Sequence, residues 1–494
     1  MPSLPDEVEA LQALLTESRQ ARQALEAELR ALKQRLASLE RAPSHRPAAT
    51  RAAGTQLAFA LEHEGALGAA PAPAPTVDAA EHGAARALAR ERVILEPWAK
   101  DSAANCPSCS APLEHTGLDR TGVLEYAHGA YQLIEYARPK AYCAGCKRTL
   151  QAPLPPRPIP RAFAGAGMLA HLLVSRYERN VSLYRQRQIC AAAGITVDRT
   201  TLADWVEASW LLLEPLADAL ARHVLAGSHL HTASAAYPIL AHGSGRTRIG
   251  RLWIYLRDER AWGSTIPPSA WFRFTSDRSG AQARTHLGSF SGTLQGPALD
   301  AEPIYRSRRI ELLGCWAELR ARIAQAHDPT SSGLIEELLL QLDGLYQIER
   351  VLFGRSPEAR QALRLEHARP ILDALHARLR ECLRELPKKA ELTAALRFAL
   401  AHWKRLERYS SDGRAQMDGM DAQQLLQATV GEVGGRGTDT HGARAAGLYG
   451  LIATARLNGA DPEQYLCSVL EHLSSQIPRN WETLLPWALS RDQY

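Results

Sequence analysis

From Leu11 to Leu39 an apolar residue returns every three or four positions. Leu11, Leu15, Leu25, Leu29, Leu32, Leu36 and Leu39 share one seam, with Ser18 and Arg22 as polar interruptions. This alternating spacing predicts a coiled coil, and because no matching heptad run follows nearby, its partner is expected to be another copy of the chain. From about residue 43 to 85 the pattern dissolves into Ala, Pro and Gly, including "GAAPAPAPT", a composition that predicts a linker. Alternation resumes in "GVLEYAHGAYQLIEYARPKAYC", which reads as two strands, and "APLPPRPIPRAF" then marks a boundary. "SLYRQRQICAAAGITVDRTTLADWVEASW" predicts a helix, a turn at Gly194, and a second helix starting near Arg199 with Asp198 as its N-cap. Three strands follow at His229–Leu240, Arg251–Arg257 and Trp271–Thr275, then a short helix in "SGAQARTHLGSF" and a fourth strand in "GTLQ". Cys315 to about Tyr409 is helical by period, and the tail predicts two more helices, the first stopped at Asn458-Gly459.

These elements predict a multidomain α/β protein. The expected order is a coiled coil over 1–42, a linker and lead-in over 43–100, a zinc ribbon over 101–152 and a helical helix-turn-helix-like region over 160–226. An RNase-H-like α/β core is expected to begin over 227–314 and to resume over 411–494, split by a large helical insertion over 315–410. A chain of 494 residues is long enough for several such cores.

Charge sharpens this picture. The net charge is +5, but Arg138 to Arg199 holds eleven Lys/Arg against Glu178 and Asp198 alone, an excess of +9 that leaves the rest slightly acidic. One basic module suits a polyanion, and double-stranded DNA is the expected partner. If the helix pair is a helix-turn-helix, Arg199, Thr200 and Thr201 lie at the N-terminal end of a recognition helix. Arg185 and Arg187 then lie near phosphates, and Lys147 and Arg148 add cations beside the ribbon. No apolar run reaches the length of a membrane span, and the start of the chain lacks a signal-peptide core, so no membrane partner and a cytoplasmic location are expected.

Eight cysteines divide into two CxxC pairs and four singles, Cys190, Cys315, Cys382 and Cys467, which suits a metal in a reducing compartment better than disulfides. "CPSC", Cys106 to Cys109, and "CAGC", Cys143 to Cys146, each aim two thiolates at one point. Two such knuckles close a tetrahedral zinc site, and four protein ligands leave no open position, so the zinc is expected to be structural.

The order of several specific segments resembles the transposases of the insertion sequence 66 family: the leucine seam, the CxxC/CxxC ribbon, "PPRPIPR", "YRQRQI", "TTLADWV", "GRLWIYLRDER", "DRSG", "FSGTLQ", "GCWAELRAR", "TARLNGADPEQYL" and "LLPW". The resemblance implies DNA transposition, binding of element ends, a bacterial nucleoid-associated location, and an RNase-H-like core in which two Asp and one Glu hold two Mg²⁺. Hard cations need oxygen ligands, preferably carboxylates.

Carried over position by position, the pattern finds none of those acids. The family's first-strand motif, His-Ala-Asp-Asp/Glu-Thr-Pro, falls on His231 to Ala236, which puts Ala233 at the Asp and Ser234 at the next acid. The second Asp falls on Pro297, two residues past "GTLQ". The third motif, Ile-Asp-Asn-Asn-x-x-Glu-Arg, lies on "MDGMDAQQ" and places Gln423 at the Glu and Gln424 at the Arg. The family's following Gly-Arg-Lys-Asn-Trp has become "EVGGRG", and the His of its Cys-Trp-Ala-His is Glu318, while scaffold residues such as Trp316 and Asn458 match.

The reading is a transposase-derived DNA-binding protein without intact catalytic residues, with structural zinc and without tightly bound Mg²⁺. Two alternatives stand beside it. One is an active transposase using displaced acids, Asp300 with Asp418 and Asp421, although the first strand has no acid nearby, Asp258 matching a non-catalytic family residue. The other is a non-catalytic assembly subunit acting through the coiled coil.

Overall fold

The computed structural model describes residues 89–94, 105–240, 247–276, 285–296, 309–326, 332–387, 389–430 and 439–489. The leucine seam of 1–42, nearly all of the linker, and Pro297 and Asp300 lie outside these residues.

A four-stranded sheet comes first. Strand β2 (Leu113–Ala127) and β3 (Ala130–Cys143) form a long antiparallel hairpin, β1 (Ala89–Ile94) lies parallel to β3 on its other side, and β4 (Arg148–Gln151) pairs with the far end of β3. His128 and Gly129 turn the hairpin with φ of 52° and 78°, the left-handed pair that suits the twist of the two strands. The hairpin was legible in the alternation of "GVLEYAHGAYQLIEYA"; β1 and β4, short and without a clear period, were not.

Three helices follow: α1 (Ala166–Tyr177), α2 (Leu183–Ala192) and α3 (Arg199–Leu225). The backbone of Leu124 on β2 exchanges hydrogen bonds with Phe163 and Gly165, so the turn end of the hairpin is fastened to the start of α1. Ser182 caps α2 by accepting from Arg185 N, whereas Asp198 sits at the N-cap position of α3 without a side-chain cap bond. Helix α2 buries only Gln186 and Cys190, but α3 buries ten residues, among them Leu202, Trp205, Leu213, Leu216 and Leu220.

The second sheet has five strands in the order β7-β6-β5-β8-β9. Strands β5 (His229–Leu240), β6 (Thr247–Arg257) and β7 (Ser269–Thr275) are antiparallel, while β8 (Gly292–Gln295) and β9 (Ile310–Leu313) run parallel to β5. Strand β9, only "IELL", was missed in the sequence because four residues carry too little period. Gly292, at φ +153°, lets β8 approach β5, since a Cβ there would meet Ser228 O at 2.2 Å.

A helical unit follows: α4 (Trp316–Ala324), α5 (Ser332–Leu352), α6 (Pro357–Leu363), a π turn (Arg364–Ala368), α7 (Arg369–Glu385), α8 (Glu391–Ala401) and α9 (Trp403–Glu407). Its apolar side chains form a cluster of their own from Leu313 to Met417. The chain then returns to the sheet as α10 (Met420–Val430), α11 (Asp439–Leu457) and α12 (Pro462–Ser475). A separate cluster joins α1, α3, the five-stranded sheet and α10 to α12. Helix α11 is rich in Ala and Gly because it is enclosed on several sides: a Cβ at Gly447 would strike Trp210 of α3 at 2.0 Å, and one at Gly442 would strike Phe274 of β7 at 2.7 Å. Gly459, at φ +75°, ends the turn after α11. No helix among the described residues is long and apolar enough to cross a membrane.

Candidate functional site

The four paired cysteines converge. Cys106 Sγ lies 3.9 Å from Cys146 Sγ and Cys109 Sγ 3.4 Å from Cys143 Sγ, and all four sulfurs fall within 4.8 Å of one another. A tetrahedral ion with Zn–S bonds of about 2.3 Å sets its sulfurs about 3.8 Å apart, so the spacing fits. Each knuckle is followed by a residue in the left-handed region, Ser110 at φ 59° and Lys147 at φ 53°, which folds the backbone around the sulfurs in the same way twice. Space is tight at Gly145, where a Cβ would sit 3.3 Å from both Cys109 Sγ and Ala111 Cβ. As bare thiols the four compete for protons: the Ser108 N–H holds Cys106 down to about 6, while its hydrogen bond with Cys109 pushes Cys146 up to about 12. A dication in their midst would replace those protons. Among the described residues this is the one group of three or more His, Cys, Asp or Glu whose donor atoms converge so closely.

A second focus lies where β5, β8 and α10 meet. His231 and Ala233 point to one face of β5, and a Cβ on Gly419, just before α10, would lie 3.1 Å from His231 Nδ1. Gln295 at the end of β8 donates to Gly314 O at 2.9 Å and to Gln416 O at 2.8 Å, which ties the two parallel strands to the segment leading into α10. His231 is 4% exposed, its Nδ1 has no hydrogen-bond partner, and burial lowers its pKa to about 4. Asp258 and Asp418 lie close enough to act on its charge, whereas Asp421 acts on Asp258. Burial works against the charge of Asp258, but the hydrogen bonds of Arg260 outweigh it and keep the carboxyl below its usual range. Asp418 accepts from Tyr346 Oη at 3.0 Å and from Met420 N at 3.2 Å. Asp421 is raised by partial desolvation and by the charge of Asp258.

The helical surface is a third candidate. Arg185, Arg187, Arg199 and Thr200 are exposed, and Thr201 is half-buried. Lys147 and Arg148 are exposed at the knuckle end of the hairpin, twelve residues of β3 from Tyr131, whose hydroxyl meets Cys190 of α2. At 3.3 Å per residue that separation is roughly 40 Å, so the two groups of cations do not form one cluster. Part of the basic excess is also neutralised, Arg138 and Lys140 by Asp119, and Arg179 by Glu463.

The family description "Transposase IS66 family" matches residues 161–426, more than half of the chain, and "IS66 C-terminal element" matches 450–487. The chain belongs to the IS66 transposase family. Three relatives from Sinorhizobium fredii, each named only as an uncharacterized protein, extend the likeness. The y4jD protein is 32% identical over 426 residues, covering 82% of this chain and 81% of its own. The y4hP protein is 30% identical over 427 residues (82% and 76%), and y4qI is 29% identical over 435 (85% and 78%). The larger IS66 match runs from the start of α1 into α10 and so includes both the five-stranded sheet and the helical unit, whereas the four cysteines precede it.

Within this IS66 region Ala233 is 3% exposed and belongs to the apolar cluster that also holds Ala422 and Leu426 of α10. Gln423 is half-buried on the same helix. Register places Thr293, Leu294 and Gln295 of β8 beside His229, Leu230 and His231 of β5; Pro297 follows beyond the described residues. Sequence reasoning set Asp258 aside and overlooked His231 as a buried polar group. The signal was present in "RDER", a charged cluster directly after an apolar strand, but nothing in the sequence says which strand it faces.

Proposed function

We propose that this IS66 family member is a DNA-binding transposase derivative whose strand-transfer centre has lost its metal carboxylates. The observation that carries the reading is Ala233, packed into the core on the middle strand at the position where the family resemblance calls for the first Asp. The order β7-β6-β5-β8-β9, three antiparallel strands followed by two parallel ones, supports an RNase-H-like core. In such a core two divalent ions would activate the attacking oxygen and stabilise the leaving one. The residues present do not fit them: Ala233 offers no donor atom and Gln423 only a neutral amide, and the side chain of Asp418 is engaged by Tyr346.

The remaining parts have binding roles. The Cys106, Cys109, Cys143 and Cys146 cluster holds structural zinc and makes the four-stranded sheet a zinc ribbon. Arg185, Arg187, Arg199, Thr200 and Thr201, with Lys147 and Arg148 at a distance, contact duplex DNA, and the leucine seam of 1–42 joins copies of the chain as a coiled coil. The deciding experiment is a nicking and strand-transfer assay of the full chain on duplex DNA carrying element ends, with Mg²⁺ or Mn²⁺. Binding without cleavage is expected. Metal-dependent cleavage abolished by Asp418→Ala or Asp300→Ala overturns the inactive reading and establishes the displaced acids.

A further inference from the structure

The geometry points to α2, and not α3, as the helix that enters a groove of duplex DNA, an inference that rests on the DNA-binding reading above. Sequence layout favours the second helix of the pair, because helix-turn-helix proteins read bases with it. Burial reverses the order. The solvent-facing stripe of α3 runs through Asp204, Glu207, Leu211, Glu214 and Asp218, so past its first turn this helix presents four carboxylates, of which Glu207 is paired with Arg444. A phosphate backbone is repelled along such a stripe.

Helix α2 has the opposite character and contains no acid at all. At 100° per residue, its buried Gln186 and Cys190 define one side, and Gln186 fixes that side by donating to Leu172 O at 3.3 Å and Val181 O at 3.1 Å. The opposite side is centred on Gln188, with Tyr184 a turn before and the small Ala191 and Ala192 a turn after. Arg185 and Arg187 flank this line. Tyr184 is 56% exposed and Ile189 40%. The polar side chains are already ordered in pairs: Arg187 stacks over the Tyr184 ring at 5.6 Å, and Arg185 donates to Gln188 Oε1 at 3.1 Å. A central Gln suits the paired donor and acceptor of adenine in the major groove, flanking arginines suit guanine or phosphate, and alanines admit close approach. The partner is therefore double-stranded DNA, read in the major groove by Gln188 and held by Arg185 and Arg187.

The test uses the full chain, a labelled mixed-sequence duplex and a randomised duplex library. The Arg185→Ala/Arg187→Ala double variant is expected to weaken binding at least about tenfold near 0.1 M salt and to make the salt dependence shallower by about two charges. Gln188→Ala is expected to change the selected sequence while altering mixed-sequence affinity less than about twofold. Arg199→Ala/Thr200→Ala is expected to weaken binding less than the α2 pair does, equally on all sequences, and to leave the selected sequence unchanged, as for phosphate contacts at the start of α3. All these positions lie on exposed or half-buried surface, and an unchanged thermal midpoint certifies the fold. If the α3 pair loses sequence selection while the α2 variants bind like the parent, the inference is overturned in favour of α3. If the parent itself fails to bind duplex DNA, the DNA-binding reading falls with it.

Discussion

At the scale of single residues, Ala233 and His231 share one face of β5 and illustrate what burial does to chemistry. An acid restored at Ala233 enters an apolar cluster, so Ala233→Asp is expected to destabilise the fold by about 2 kcal/mol or more. The loss should be larger at pH 8 than at pH 5, because a buried carboxyl has a raised pKa and is tolerated best while protonated; urea unfolding at the two values checks this. His231 acts in the opposite sense. Its folded pKa of about 4 lies below the ordinary 6.5, so its contribution to stability is intact above pH 6.5 and declines as the pH falls toward 4. By pH 5 the loss from this group amounts to about 2 kcal/mol. His231→Gln should remove that part of the acid sensitivity, and equal pH slopes for parent and variant would refute the assignment. The identities at these positions were legible in the sequence by motif. The unpartnered Nδ1 and the charges of Asp258 and Asp418 beside it were not, since these two acids come from separate stretches of chain.

At the scale of elements, the hairpin β2–β3 is fastened at two ends by different means, hydrogen bonds to Phe163 and Gly165 at one and the four sulfurs at the other. Removing the metal should therefore loosen the knuckle end first. Purified protein is expected to carry one zinc per chain, and Cys143→Ser or chelation should open residues 105–152 to protease while α1 to α3 and the five-stranded sheet stay folded. Well-folded protein without zinc would refute this. The helical unit depends on buried charge instead. Arg360 and Arg364 both grip Glu349, and their remaining donors satisfy carbonyls of Ala261, Leu352, Tyr409, Asp412, Gly413 and Ala415. These bonds fix the segment that leads to α10 and join it to the turn after β6. Arg364→Met leaves Glu349 with only the 3.2 Å bond from Arg360 and takes a donor from the carbonyls of Tyr409, Asp412 and Ala415, and should cost about 3–5 kcal/mol, measurable by chemical denaturation. Nothing in the local sequence separates these two arginines from the exposed ones around them.

At the scale of the whole molecule, two apolar clusters hold the described residues, one around the five-stranded sheet and one within the helical unit. The proposed self-association rests on the leucine seam, outside the described residues. Deleting residues 1–42 is expected to lower the oligomeric state seen by sedimentation, to leave the far-UV signature of the remainder unchanged, and to weaken DNA binding through lost multivalency. A truncated chain that sediments as the parent does would refute the coiled coil. The sequence by itself determined the order of the longer elements and the pairing of the four cysteines that cluster. Alternation, capping residues and CxxC spacing are local properties, and the chemistry of Ala233 or of a thiolate pair is written in the residue type. The tertiary structure alone decided that α3 turns its apolar side to the core and its acids outward. It also left α2 lying open, placed Lys147 and Arg148 far from Arg185, and chose which of many arginines were buried. These outcomes depend on contacts between stretches tens to hundreds of residues apart. Local pattern fixes which face of a helix is apolar; only packing decides what covers that face and what remains exposed to a partner.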